Sequence, residues 1–90
     1  MFVQFKMENR DYFVNTANIV TFSHKVSTDI STFDNLYPHY VSICTNDGKS
    51  LIVNLSNRGA ELFFEAINES QSEGRIQIPP TDGKITVYQG

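Results

Sequence analysis

Two segments of alternating character, Tyr40–Thr45 and Ser50–Leu55, flank the tetrapeptide Asn46-Asp47-Gly48-Lys49. Asp-Gly supplies the positive φ that a tight hairpin turn demands, and a period of two on both sides makes the whole stretch a β-hairpin. In that hairpin Val41 and Ile43 share a face with Leu51, Val53 and Leu55. Ser42, Cys44, Ile52 and Asn54 then fall on the opposite face. An aliphatic face of this kind has to be covered, and the remaining segments supply the cover.

Phe2 to Met7 alternates, with Val3, Phe5 and Met7 on one side, and the polar Glu8-Asn9-Arg10-Asp11 leads into Tyr12-Phe13-Val14-Asn15, giving a first hairpin. After the polar break Asn15–Asn18, Ile19 to Val26 reads as a longer strand with Val20, Phe22 and Val26 on one side and Thr21, Ser23 and Lys25 on a wet side. Ser56 is an N-cap for Asn57 to Asn68, where Ala60, Phe63, Phe64 and Ile67 recur at helical spacing, so both phenylalanines are expected in the core. Position 59 holds neither Glu nor Gln, so the capping box is absent. Arg75–Ile78 and Lys84–Tyr88 alternate on either side of Pro79-Pro80 and a second Asp-Gly, which reads as edge strands or a late hairpin. The expectation is an α+β fold, an antiparallel sheet of about five to seven strands with a single helix packed on one face. Ninety residues suit one domain, residues 1–90, with a core over 2–68 and a C-terminal strand or hairpin over 75–88.

Charge excludes some functions. Ten acidic residues against seven basic ones leave a net charge of −3, and the basic residues are scattered singly, so nucleic acid is disfavoured as a partner. No apolar run approaches the roughly 18–20 residues that span a bilayer, and the N-terminus alternates instead of forming a secretory apolar stretch. Cys44 is the single cysteine, which rules out an intramolecular disulfide and points to a reducing, cytoplasmic setting.

The segment Ser27–His39 is long for a connection between adjacent strands, and Ile30, Phe33, Leu36 and Tyr37 punctuate it. These four are the candidate binding anchors, because aromatic and aliphatic side chains on loops make interface hot spots; the alternative is that they lid one end of the sheet. His24 and His39 stand at the two mouths of the loop and approach each other if their strands pair, with Asp29 or Asp34 as a third ligand. Two histidines more simply cap strand ends, and no metal or other cofactor is expected. Cys44, mid-strand, suits packing better than nucleophilic catalysis, and Glu61 with Glu65 mark the wet side of the helix. No glycine-rich phosphate cradle occurs.

The order of hairpin, strand, hairpin and short amphipathic helix resembles the FlbD family of small flagellar proteins. Asn15-Thr16-Ala17-Asn18-Ile19-Val20 is similar to that family's asparagine-then-isoleucine strand start, and Val41 to Val53 to its alternating strand, turn and return strand. Ser56–Ile67 stands where the family has its closing helix, so the likeness covers residues 2–67. The Ser27–His39 loop is longer than the family's connection, and the segment after Ser70 has no counterpart there. The resemblance implies a non-catalytic accessory protein acting through its surface, and it brings no active-site residues.

The expected function is accordingly a protein–protein interaction or regulatory module of bacterial or phage type, forming a homo-oligomer and not an enzyme. The alternative is a small-molecule or nucleotide-sequestering protein of a mobile element, of anti-defence type. Its pocket would lie at an oligomer interface, with Arg10, Lys25 and Arg58 as contacts to an anionic ligand.

Overall fold

A computed structural model describes residues 1–28 and 35–89. Among these residues seven strands and one complete α-helix follow in the order β1 (Phe2–Lys6), β2 (Asp11–Asn15), β3 (Ile19–Val26), β4 (His39–Thr45), β5 (Lys49–Leu55), α1 (Asn57–Asn68), β6 (Arg75–Ile78) and β7 (Gly83–Gln89), with a 3-10 turn at Thr16–Asn18. The class is the expected α+β, but the strands divide between two sheets: a mixed one in the order β2-β1-β6 and an antiparallel one in the order β3-β4-β5-β7.

The central hairpin forms as the Asp-Gly signal requires. Val41 faces Val53 and Ile43 faces Leu51 across β4 and β5, and Gly48 takes φ +85° in the turn. The Thr45 hydroxyl donates to Asp47, which, ahead of the nearby Lys49 ammonium, holds that carboxyl below its usual range.

The helix carries the chain from one sheet to the other. Leaving β5, α1 crosses to β6, which runs parallel to β1 with Phe5 beside Ile78. Of the two readings of the C-terminal segments, edge strands hold and the late hairpin does not: Pro79-Pro80 turns the chain away, β6 edges one sheet, and β7 pairs antiparallel with β5 at the edge of the other. Burial accounts for this, since Ile78 and Ile85 enter the core from different sheets. That core joins Val3, Phe5 and Val14 to the aliphatic face of the hairpin, with Phe63 of the helix fully buried against Phe5 at a ring-centroid distance of 6.2 Å.

The helix start is built into the β6–β7 turn. The Ser56 hydroxyl accepts from Gly59 N–H at 3.0 Å and donates to Asp82 at 3.0 Å, while Ser56 N–H donates to the Asp82 carbonyl at 2.8 Å. Glycine at 59 is required by contact, because a Cβ there would stand 2.0 Å from the Asp82 carbonyl oxygen. The position that lacks a capping-box glutamate is thus where the turn lies against the helix. Among the described residues no helix is long and apolar enough to cross a membrane.

Candidate functional site

Among the described residues β3 is the outermost strand of the antiparallel sheet and pairs along one edge only, with β4. None of its eight residues is buried. A bulge at Val20, where the register shifts between Ile19 and Thr21, sets the phase of the strand. Ile19 lies across from Thr45, Phe22 from Ile43, His24 from Val41 and Val26 from His39, so these four take the core side of the sheet. Phe22 and Val26 thus share a side, with Thr21, Ser23 and Lys25 opposite, as the alternation expects; only Val20 departs from it, because the bulge inserts that residue and sets Ile19 on the core side instead. The core side is not covered this far out, and Phe22 and Val26 remain 45% and 53% exposed.

Phe64 reaches toward this flank from the helix. It is half-buried and not in the core with Phe63; its ring lies 6.1 Å from Phe22 and 4.9 Å from His24. The two phenylalanines, neighbours on the helix, point about 100° apart, so only one can face the core fully.

Pairing of β3 with β4 brings the two loop-mouth histidines together. His39 Nε2 lies 2.9 Å from Asn57 Oδ1, and His24 Nε2 lies 2.9 Å from His39 Nδ1. An amide oxygen only accepts, so His39 donates from Nε2; in the neutral ring His39 Nδ1 then accepts, and His24 donates from Nε2. The rings stack nearly parallel, 18° apart, with centroids at 5.1 Å. The partial burial of His24, together with the repulsion of a charged His39, lowers the pKa of His24. Asn57, Ala60, Glu61 and Phe64 complete a cleft of about 530 Å³ beside the pair. Among the described residues no group of three or more metal-ligating side chains forms, and Asp29 and Asp34 lie outside them.

The other candidates are dispersed. Ile30 and Phe33 also lie outside the described residues. Leu36 is exposed, whereas Tyr37 is 9% exposed and donates from its hydroxyl to the Pro80 carbonyl at 3.0 Å, with the Lys84 ammonium 5.7 Å from its ring centroid. Tyr37 therefore packs on the body. Arg10 sits in the β1–β2 turn, Lys25 on β3 and Arg58 on α1, where Glu61 engages it at 3.3 Å. No hydrogen bond or ion pair links the three. The registers instead place Lys25, Tyr40, Asn54 and Lys84 in one row across the outer face of the sheet. Lys25, Tyr40 and Asn54 border a cleft of about 350 Å³ with Tyr37. Lys84 escapes sequence reasoning because its place in this row depends on β7 pairing with β5.

No family model, no curated protein and no solved structure matches this chain.

Proposed function

We propose that this chain is a non-catalytic protein–protein interaction module of bacterial or phage type that works through β3 and the apolar flank beside it. One observation carries the reading: an eight-residue edge strand, with no residue buried, holds Phe22 and Val26 beyond the cover of the core. A sheet edge offers unpaired backbone donors and acceptors, and strand addition to such an edge is a general mode of recognition. Edges that must stay free are blunted by charge, proline, a bulge or shortness, and the bulge of β3 lies at Val20, outside the regular stretch Phe22–Val26. Here the strand is long, lacks proline and carries Lys25 as its one formal charge. The exposed thiol of Cys44 suits a reducing compartment such as the cytoplasm.

A second reading rests on the outer-face row. Lys25 and Lys84 carry no ion pair among the described residues and bracket Tyr40 and Asn54 beside the cleft at the loop mouth. Two ammonium groups with polar side chains between them suit a small anionic ligand such as a nucleotide.

Native mass spectrometry of the protein purified from a bacterial host separates the two. The interaction reading expects bound protein, a second copy included, on the wild type and none on a folded Phe22→Glu variant. A single, empty copy, or association untouched by Phe22→Glu, would overturn it. A bound small anion lost on Lys25→Ala would favour the second reading.

A further inference from the structure

The backbone of β3 shows which of its groups face the open edge. Ser27 N–H donates to the Pro38 carbonyl at 2.7 Å, and this pair continues the register in which Val26 faces His39 and Lys25 faces Tyr40. Bonded and non-bonded pairs alternate along an antiparallel ladder. Ser27, Lys25 and Ser23 therefore turn their N–H and C=O groups toward β4, while Val26, His24 and Phe22 turn theirs outward. Below Phe22 the bulge at Val20 breaks the pattern. The regular open edge is Phe22–Val26, with three outward-facing residues spaced two apart.

We propose that this edge pairs with the same edge of a second copy of the chain, antiparallel about a two-fold axis at His24, joining two four-stranded sheets into one. The inference rests on the reading of β3 as the interacting surface and names its occupant. Phe22 then lies opposite the partner's Val26, and Ser23 opposite the partner's Lys25.

Backbone complementarity selects the axis. Centred on His24, all three outward residues of one copy meet all three of the other. Moving the axis to Ser23 matches only Phe22 and His24 and sets Val26 against the bulge residue Val20. Moving it to Lys25 matches only His24 and Val26 and places two ammonium groups opposite each other.

Charge and side-chain cover agree with this choice. Lys25 is the only formally charged side chain in Phe22–Val26, and it meets a serine. Each His24 directs its Nε2 at its own His39, so that nitrogen is already partnered where the two copies of His24 meet. Phe22 and Val26, both half-exposed, form an aromatic–aliphatic cross-strand pair on each side of the axis, next to Phe64. A seam of this length falls at the small end of specific interfaces, below about 1,200 Å². The dimer is accordingly concentration-dependent.

Cross-linking tests the register. In a Cys44→Ser background, Ser23→Cys and Lys25→Cys are made as separate proteins. Residues 23 and 25 of opposite copies form a non-bonded pair, whose Cα atoms lie about 4.5 Å apart, within disulfide range. Mild oxidation of an equimolar mixture is expected to yield covalent dimer at least tenfold faster than either variant alone. Equally fast cross-linking of Ser23→Cys alone would place the axis at Ser23 and overturn the proposal. Absence of any cross-link, with wild type a single copy by light scattering at millimolar concentration, would overturn self-pairing altogether. In that case, a different protein bound to wild type and lost from Phe22→Glu leaves the β3 surface standing. Association indifferent to Phe22→Glu removes both.

Discussion

His24 donates from Nε2 to Nδ1 of a neutral His39 across 2.9 Å, and His39 donates from its own Nε2 to Asn57 Oδ1. A proton added at His39 Nδ1 would reverse the bond between the rings and make His24 Nε2 the acceptor, so the pair cannot carry both charges at once. His24 is also partly desolvated beside Phe64, and Glu61, the acidic group of the same cleft, already engages Arg58.

A pH dependence follows from this pair. The pKa of His24 is lowered from 6.5 by burial first and by His39 second, so the unfolded chain takes up the proton more readily than the folded one. Stability attributable to this group is intact above the unfolded pKa and declines as pH falls from there toward the lower folded value. Urea denaturation between neutral pH and pH 5 should show this decline in wild type and a flatter profile in His24→Gln. Identical profiles would mean that His24 is neither desolvated beside Phe64 nor set against His39 in solution.

The two adjacent helix phenylalanines should separate in energy. Phe63 is fully buried against Phe5, so Phe63→Ala is expected to cost ~3–5 kcal/mol, the transfer energy of the ring plus a cavity. Phe64 is half-buried under Phe22 and His24, and its truncation should cost ~1–2 kcal/mol. Equal losses in equilibrium denaturation would place Phe64 in the core after all.

Glycine substitutions offer a sharper contrast. At Gly48 a side chain meets open space and suffers only from φ +85°, so Gly48→Ala should cost ~1–2 kcal/mol. At Gly59 the added Cβ would collide with the Asp82 carbonyl, and the helix must move off the β6–β7 turn. The loss there should exceed ~3 kcal/mol, with unfolded protein visible at modest urea concentrations. A Gly59→Ala protein as stable as Gly48→Ala would show that the turn does not abut the helix.

What the sequence disclosed and what it hid follow from the range of the forces involved. The Asp47-Gly48 hairpin and the helix over Asn57–Asn68 are legible because turn chemistry and apolar period act within a few residues. The division into two sheets is not, because β6 and β7 each alternate equally well whichever strand they join. The bulge at Val20 is equally silent, leaving the phase of β3 open until its register with β4 is known. The meeting of His24 with His39 is foreseeable from their places at the loop mouths. Asn57 is not, since its role depends on where the helix start lies relative to β4. Among the loop aromatics, Tyr37 has the same apolar and aromatic signature whether it offers itself to a partner or folds back onto Pro80.

That ambiguity in Tyr37 yields the last prediction. The β3–β4 pairing is already closed at the loop mouth by Val26 opposite His39 and by the Ser27–Pro38 bond, so the ladder does not need the loop's length. Replacing residues 28–36 with a short turn should leave the fold intact, because closure entropy changes by well under ~1 kcal/mol over such lengths. Tyr37 is different in kind. Its ring is buried and its hydroxyl ties the loop's end to the β6–β7 turn at Pro80, the turn that also receives Ser56. Tyr37→Phe should lose about 1 kcal/mol with the hydrogen bond, and Tyr37→Ala ~3 kcal/mol or more with the ring. Thermal unfolding of the three variants decides it. If the loop deletion unfolds the protein while Tyr37→Ala does not, the loop itself carries core side chains and Tyr37 is only a passenger on the surface.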